Sequence, residues 1–154
     1  MPTINPSGGG GGAAGPFAYF EVNGATYANG DHPAWTPINS VAYPNNLANA
    51  ALLFNLANPL LPVAVTSGVY AISVEAICNA AHAGKVYGIF VYFDAAGPDD
   101  GPGTYGIPLD SGNATASATG IRALTAGQQI EAQVSHNIGA GAAFDFWALV
   151  QRIS

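Results

Sequence analysis

The sequence predicts an all-β sandwich or jelly roll, and three observations carry that prediction. Strand-like runs recur along the chain with turn chemistry between them, apolar residues within several runs alternate with a period of two, and helical periodicity is weak throughout. At 154 residues the chain has the size of one domain, able to bury about 70% of its extended surface.

The chain opens on a segment with no strand signal. Gly8, Gly9, Gly10, Gly11 and Gly12, followed by Ala13, Ala14, Gly15 and Pro16, separate a short head from the first strand. Such a stretch holds too little apolar surface to order itself, and it lacks the third-residue glycine period of a collagen stalk. We read residues 1–16 as a flexible Gly-rich anchoring arm and residues 17–154 as the domain. Ile4, with Pro2 and Pro6 flanking it, gives the arm its few sticky or stiff points.

The strands follow in three groups. FAYFEV (17–22) comes first, then a Pro- and Asn-rich stretch over 29–46 containing WTPINSVAY. ALLFNL (51–56), GVYAISVEAIC (68–78) and KVYGIFVYFD (85–94) make the second group. ATASATGIRAL (114–124), QQIEAQVSHN (128–137) and AAFDFWALVQRI (142–153) make the third. NNLANAALLFNLAN is the one stretch with a helical argument, and its Asn spacing together with Pro59 favours strand over helix there. AAGPDDGPGTYG (95–106) and NIGAGA (137–142) carry turn chemistry. We expect these to be exposed loops, with Asp99, Asp100, Tyr105, His136 and Asn137 as candidate ligand-facing residues.

The faces of the strands differ. In QQIEAQVSHN, Ile130, Ala132 and Val134 share one face and Gln129, Glu131, Gln133 and Ser135 the other, giving one core side and one polar side. KVYGIFVYFD is apolar on both sides, with Val86, Phe90 and Tyr92 opposite Tyr87, Ile89, Val91 and Phe93. The closing run is also two-faced: Phe144, Phe146, Ala148 and Val150 oppose Trp147, Leu149 and Ile153. A strand apolar on both faces needs two dry destinations, of which the domain core is one and a neighbouring copy of the chain the other. The strands carry more aromatics, among them Tyr70, Tyr87, Phe90, Tyr92, Phe93, Tyr105, Phe144, Phe146 and Trp147, than one thin sandwich needs.

Composition excludes several functions. Charged residues make up 8% of the chain, against roughly a quarter in ordinary soluble proteins. The basic residues are Lys85, Arg122 and Arg152 against a net charge of −6, so no phosphate-neutralising patch exists and nucleic acid is not an expected partner. No uncharged apolar run reaches the roughly 20 residues that span a bilayer, so membrane insertion is not expected. MPTINPSGGGGG has neither the basic nor the apolar region of a secretory signal, and folding in a cytosol is expected. Cys78 is the single cysteine; its apolar strand context predicts a buried, inert thiol.

Sites of chemistry are sparse. Asp94, Asp99, Asp100 and Asp110 cluster in sequence without an EF-hand spacing, and turns recruit Asp for their own backbone bonds, so no metal is expected. His32, His82 and His136 have no zinc-ligand spacing. Ser73, His136 and Asp145 are nominal members of a catalytic triad, yet the chain has no G-x-S-x-G elbow, no H-E-x-x-H and no phosphate loop. We expect no catalytic residues, no cofactor and no enzymatic activity.

The order of the pieces resembles the jelly-roll superfamily of tumour necrosis factor and the complement globular heads. The matching signals are Gly68-Val69-Tyr70 opening a long strand after VAVTS, Leu124-Thr125-Ala126-Gly127-Gln128 leading into IEAQV, and the closing FDFWALVQRI. Gln128 stands where many members carry Asp, so the cation site of calcium-binding members does not carry over. The resemblance implies a compact homotrimer whose Gly-x-Tyr strand and closing strand line the three-fold interface, with Tyr70, Ile72, Tyr92, Phe144, Phe146 and Trp147 as interface candidates. The Gly-rich arm, the low charge and the Gly/Ala/Asn-rich composition are also similar to jelly-roll proteins of bacteriophage virions. They imply a non-enzymatic virion surface protein, anchored to other virion proteins by its arm and attaching to a host-surface glycan or protein at a tail tip or fibre. Capsid decoration is the alternative within a virion, and a bacterial lectin-like or cytokine-like binding module is the alternative outside one.

Overall fold

Two-residue alternation becomes two packed sheets in the computed structural model, which describes residues 15–93, 102–110 and 113–154. In chain order the elements are β1 (Phe17–Tyr27), α1 (Asn46–Leu53), β2 (Phe54–Asn55), β3 (Val63–Ala64) and β4 (Gly68–Cys78). β5 (Val86–Phe93), β6 (Gly103–Pro108), β7 (Ala114–Leu124), β8 (Ile130–His136) and β9 (Ala142–Arg152) follow. One sheet has the order β1-β9-β4-β7 and the other β6-β5-β8. The short β2-β3 ladder joins the second sheet through a Val63–Gln129 bridge, with Ala64 N–H donating to Gln128 O at 2.8 Å. First and last strands are thus neighbours inside one layer, and the chain crosses repeatedly between the layers, which is the wrapping of a jelly roll.

The core lies between the sheets. Every second residue of β4 from Tyr70 to Cys78 is buried, and the same holds on β9 from Ala142 to Val150. Trp35, from the Pro-rich stretch, fills the centre with its ring 5.5 Å from Phe20 and 5.8 Å from Phe146. Tyr87 ties the two layers together: its hydroxyl donates to Ala76 O on β4 at 3.0 Å and also to Ala114 O on β7. Burial pushes this phenol well above its ordinary value. The outer edge of β1 is covered by the same Pro-rich stretch, with Glu21 N–H donating to Thr36 O and Ile38 N–H to Tyr19 O. Pro37 sits at that edge, where a missing donor costs nothing.

Two elements differ from the sequence reading. Residues 46–53 form a helix, where a strand over 51–56 was expected. The face it buries is Asn46, Ala50 and Leu53, a helical spacing hidden because its first member is polar. Asn46 is accommodated by three bonds: its Oδ1 accepts from Tyr19 N at 2.7 Å, and its Nδ2 donates to Tyr19 O at 2.8 Å and Ile38 O at 3.0 Å. β6 occupies 103–108, the end of a stretch expected to be a turn. Its glycines serve close packing as well as turning: a Cβ on Gly103 would lie 2.1 Å from Phe90 Cδ1.

The arm's boundary shifts slightly. Pro16 O accepts from Arg152 N at 3.0 Å, and a Cβ on Gly15 would lie 1.9 Å from Arg152 O, so residues 15 and 16 already pack along β9. Ile4, Gly8, Gly9, Gly10, Gly11 and Gly12 lie outside the described residues.

Candidate functional site

Alternation sends the second set of β9 side chains to the outer face of the four-stranded sheet. Strand register builds rows there. Glu21 of β1, Trp147 of β9, Glu75 of β4 and Ser117 of β7 form one row, and Tyr19, Leu149, Ser73 and Thr119 form the next. Around Trp147 and Leu149 the face sinks into a depression of about 280 Å³, lined also by Tyr19, Ile38 and Ile77. Tyr19 packs on Tyr43 at 4.6 Å between ring centres. Burial, and then the adjacent Tyr43 hydroxyl, raises its phenol above the usual value.

The rim of this face is polar and tied down. Asp145 accepts from Gly24 N at 2.6 Å and from Asn79 Nδ2 at 2.7 Å, which fixes the bulge of β1 against β9 and β4. Gly24 has φ of 63°, a conformation that favours glycine. Ser73 Oγ and Thr119 Oγ1 are hydrogen-bonded at 3.1 Å across β4 and β7. Two carboxylates, Glu21 and Glu75, therefore flank an apolar centre on a face that is half-buried in the single chain.

Of the six expected interface residues, Trp147 lies on this face. Tyr70, Ile72, Phe144 and Phe146 do not: they have at most 1% of their surface exposed within the chain itself and belong to its core. The alternation was read correctly, but the bulkier aromatic set packs inward and leaves Trp147 and Leu149 outside. Tyr92 is on the outer face of the other sheet, where Phe90 stacks on it at 6.1 Å and on Tyr105 at 6.2 Å. The second apolar side of β5 is thus sheltered in part by the chain's own aromatics.

The expected loop residues separate in the same way. Tyr105 is exposed on β6. His136 is a core residue at the end of β8 and not an exposed loop residue: its Nε2 is 3.1 Å from Tyr27 O and its ring stacks on Phe144. Asn137 is exposed, and its Oδ1 accepts from Val86 N at 2.9 Å. Asp94, Asp99 and Asp100 lie outside the described residues, while Asp110 accepts from Gly84 N at 2.8 Å. Ser73, His136 and Asp145 do not meet, each being engaged with other partners. Among the described residues no three His, Cys, Asp or Glu side chains gather as metal ligands. Cys78 is buried with its thiol directed to Ala80 O, and burial raises its pKa.

Tyr19, Glu21, Glu75, Ile77 and Leu149 were not singled out as site residues beforehand. The signal was available in part, since each shares its parity with Trp147 or pairs with it in register; strand order was the missing piece.

No family model matches the sequence, and no curated protein matches it. Solved structures do. A globular domain of zebrafish complement 1qA superposes with a TM-score of 0.64 at 10% identity, covering 90% of this chain and 98% of that one. The PRD1 vertex protein P5 superposes at 0.60 and 13% identity, covering 93% and 100%. An Eiger TNF from S. frugiperda gives 0.57 at 13% identity, covering 90% and 94%. The chain has the TNF/C1q-like jelly-roll fold. In this jelly roll the sheet that carries Trp147 is the one in which the first and last strands, β1 and β9, lie side by side.

Proposed function

We propose that this chain is a non-enzymatic structural module of a bacteriophage virion surface, assembled as a homotrimer through the outer face of β1-β9-β4-β7. The observation that carries the reading is the apolar depression around Trp147, Leu149, Tyr19 and Ile77 on the outer face of that sheet. It supplies the second dry destination that the two-faced closing strand demands. Full-length likeness to the PRD1 vertex protein supports a place on a particle. The Gly-rich arm is then the anchor to other virion proteins, and the end of the domain carrying exposed loops is free to meet a host-surface glycan or protein. Capsid decoration is a second reading, favoured by the vertex position named for that same relative.

Light scattering coupled to gel filtration tests the assembly. A trimer at micromolar concentration is the expected result, and a monodisperse monomer of about 15 kDa at that concentration overturns it. Particle reconstruction tests the location: density for the jelly roll at tail tips supports attachment, density over capsomers supports decoration, and absence from particles removes both.

A further inference from the structure

The outer face of the β6-β5-β8 sheet carries a row of aromatic rings that neither the core nor the proposed assembly uses. Phe90 and Tyr92 alternate away from the core set Tyr87, Ile89, Val91 and Phe93, and they pair across β8 with Gln133 and Glu131. Gly88 makes room for a third ring. A Cβ there would lie 2.0 Å from Thr104 O and 2.7 Å from Tyr105 Cα, so a glycine is needed where the irregular β6 leans across β5. Tyr105 then lies beside Phe90 and Phe90 beside Tyr92, with ring centres 6.2 and 6.1 Å apart and planes within 27° and 10° of each other. Exposure falls along the row: Tyr105 is 50% exposed, Phe90 is half-buried and Tyr92 is buried. Tyr92 braces the row and donates its hydroxyl to Gln133 Oε1 at 3.2 Å, which sets that amide beside the rings. Glu131 follows in the next register row, its carboxylate 3.8 Å from His32 Nδ1.

Charge and area narrow what fits this face. Arg122 and Arg152 belong to the other sheet and Lys85 precedes β5, so the three strands offer a carboxylate and, among the described residues, no Lys or Arg. With a net charge of −6 on the chain, an anionic ligand is repelled. Among the described residues Tyr105 is the one large apolar side chain exposed on this sheet. A specific protein partner covers about 800 Å² per side around several buried anchors, which one exposed ring and a half-buried neighbour do not supply. A small neutral ligand with an apolar face and a hydroxylated edge fits both limits. A hexopyranose is such a ligand: the C–H groups of one ring face pack on the electron-rich face of an aromatic ring, and its hydroxyls exchange hydrogen bonds with amides and carboxylates.

We propose that Tyr105 and Phe90 form a stacking platform for a neutral hexose unit of a glycan, with Gln133 and Glu131 as the hydrogen-bonding side chains at its edge. This inference rests on the host-glycan reading above and places the contact on a sheet face next to the loops. All four residues belong to one chain, so the site is complete in a single copy. In the proposed trimer the three-stranded sheet is the layer turned away from the partner copies, and three such platforms gain avidity on a surface that repeats the same sugar.

The full chain is tested on a glycan array bearing neutral, sialylated and sulfated oligosaccharides, with circular dichroism melts for every variant. The wild type should bind neutral hexose oligosaccharides in preference to the sialylated and sulfated ones. Tyr105→Ala should weaken that binding by roughly ten-fold or more without moving the melt, and Tyr105→Phe should retain it, because the ring is the contact. Phe90→Leu, which keeps apolar volume and loses the flat ring, serves the same comparison should Tyr105→Ala lower the melt. Binding to no neutral glycan, or a preference for sialylated or sulfated chains, overturns the platform. Neutral-glycan binding that both ring substitutions leave unchanged overturns this site and leaves the host-glycan reading standing. A chain that sediments as a monomer yet binds through Tyr105 supports the platform and overturns the trimer alone.

Discussion

Replacing Phe146 and Trp147 one at a time by alanine separates the core from the proposed assembly face, because these neighbours on β9 point to opposite sides of one sheet. Phe146 has no exposed surface, and its ring meets Trp35 edge-on at 5.8 Å. Phe146→Ala opens a cavity between the sheets and costs about 3–5 kcal/mol. For a chain of this length each kcal/mol moves the melting temperature by roughly 2–4 °C, so the fall is roughly 6–20 °C. Trp147 is half-buried within the single chain, beside the depression. Its truncation costs the isolated fold about 1–2 kcal/mol, less than at Phe146, since part of the ring is exposed in the single chain. The larger effect falls on association: losing a central aromatic anchor worth about 2 kcal/mol weakens it roughly 30-fold. Urea unfolding at low protein concentration reads the first quantity, and sedimentation equilibrium reads the second. The reasoning is refuted if Trp147→Ala melts as low as Phe146→Ala with association unchanged.

Tyr87→Phe leaves the Ala76 and Ala114 carbonyls without their inter-sheet donor and should cost about 1–3 kcal/mol in urea unfolding, with the trimer intact. The same residue sets an alkaline limit. Its folded phenol titrates above the unfolded value of 10.0, so its contribution is complete below that pH and is lost as pH rises toward the folded value. Unfolding free energies at pH 9 and pH 11 should differ more for the wild type than for Tyr87→Phe; equal slopes contradict the assignment. Asn46→Ala removes three bonds that hold α1 to β1 and residue 38 and should cost about 3 kcal/mol, read by the same unfolding assay. Deleting residues 1–14, which spares the packed Gly15 and Pro16, should leave folding and trimer formation unchanged while abolishing incorporation into particles; incorporation at normal occupancy contradicts the anchoring role.

Alternation is a local signal, and the elements it governs were legible. The spans of β4 and β7 coincide with the sequence reading, and those of β5, β8 and β9 differ from it only at their ends. What alternation cannot state is which of two apolar faces turns inward. On β9 that choice depends on β1 and β4 lying on either side, so that Phe144 and Phe146 face Tyr87 and Trp35 from other parts of the chain. Volume offers a rule that holds for both two-faced strands. The inward set contains the larger continuous apolar series, Tyr87, Ile89, Val91 and Phe93 on β5 and Phe144, Phe146, Ala148 and Val150 on β9. The outward set is smaller or broken, by Gly88 between Val86 and Phe90 on β5 and by Asp145 beside Trp147 on β9. A core cannot accept Asp145 without partners, whereas a sheet rim supplies Gly24 and Asn79 for it. On β9 the polar residue within the apolar run therefore marks its outer face. By that argument the proposed assembly surface was encoded at Asp145 and Glu75, the carboxylates within β9 and β4, more plainly than in the aromatics themselves.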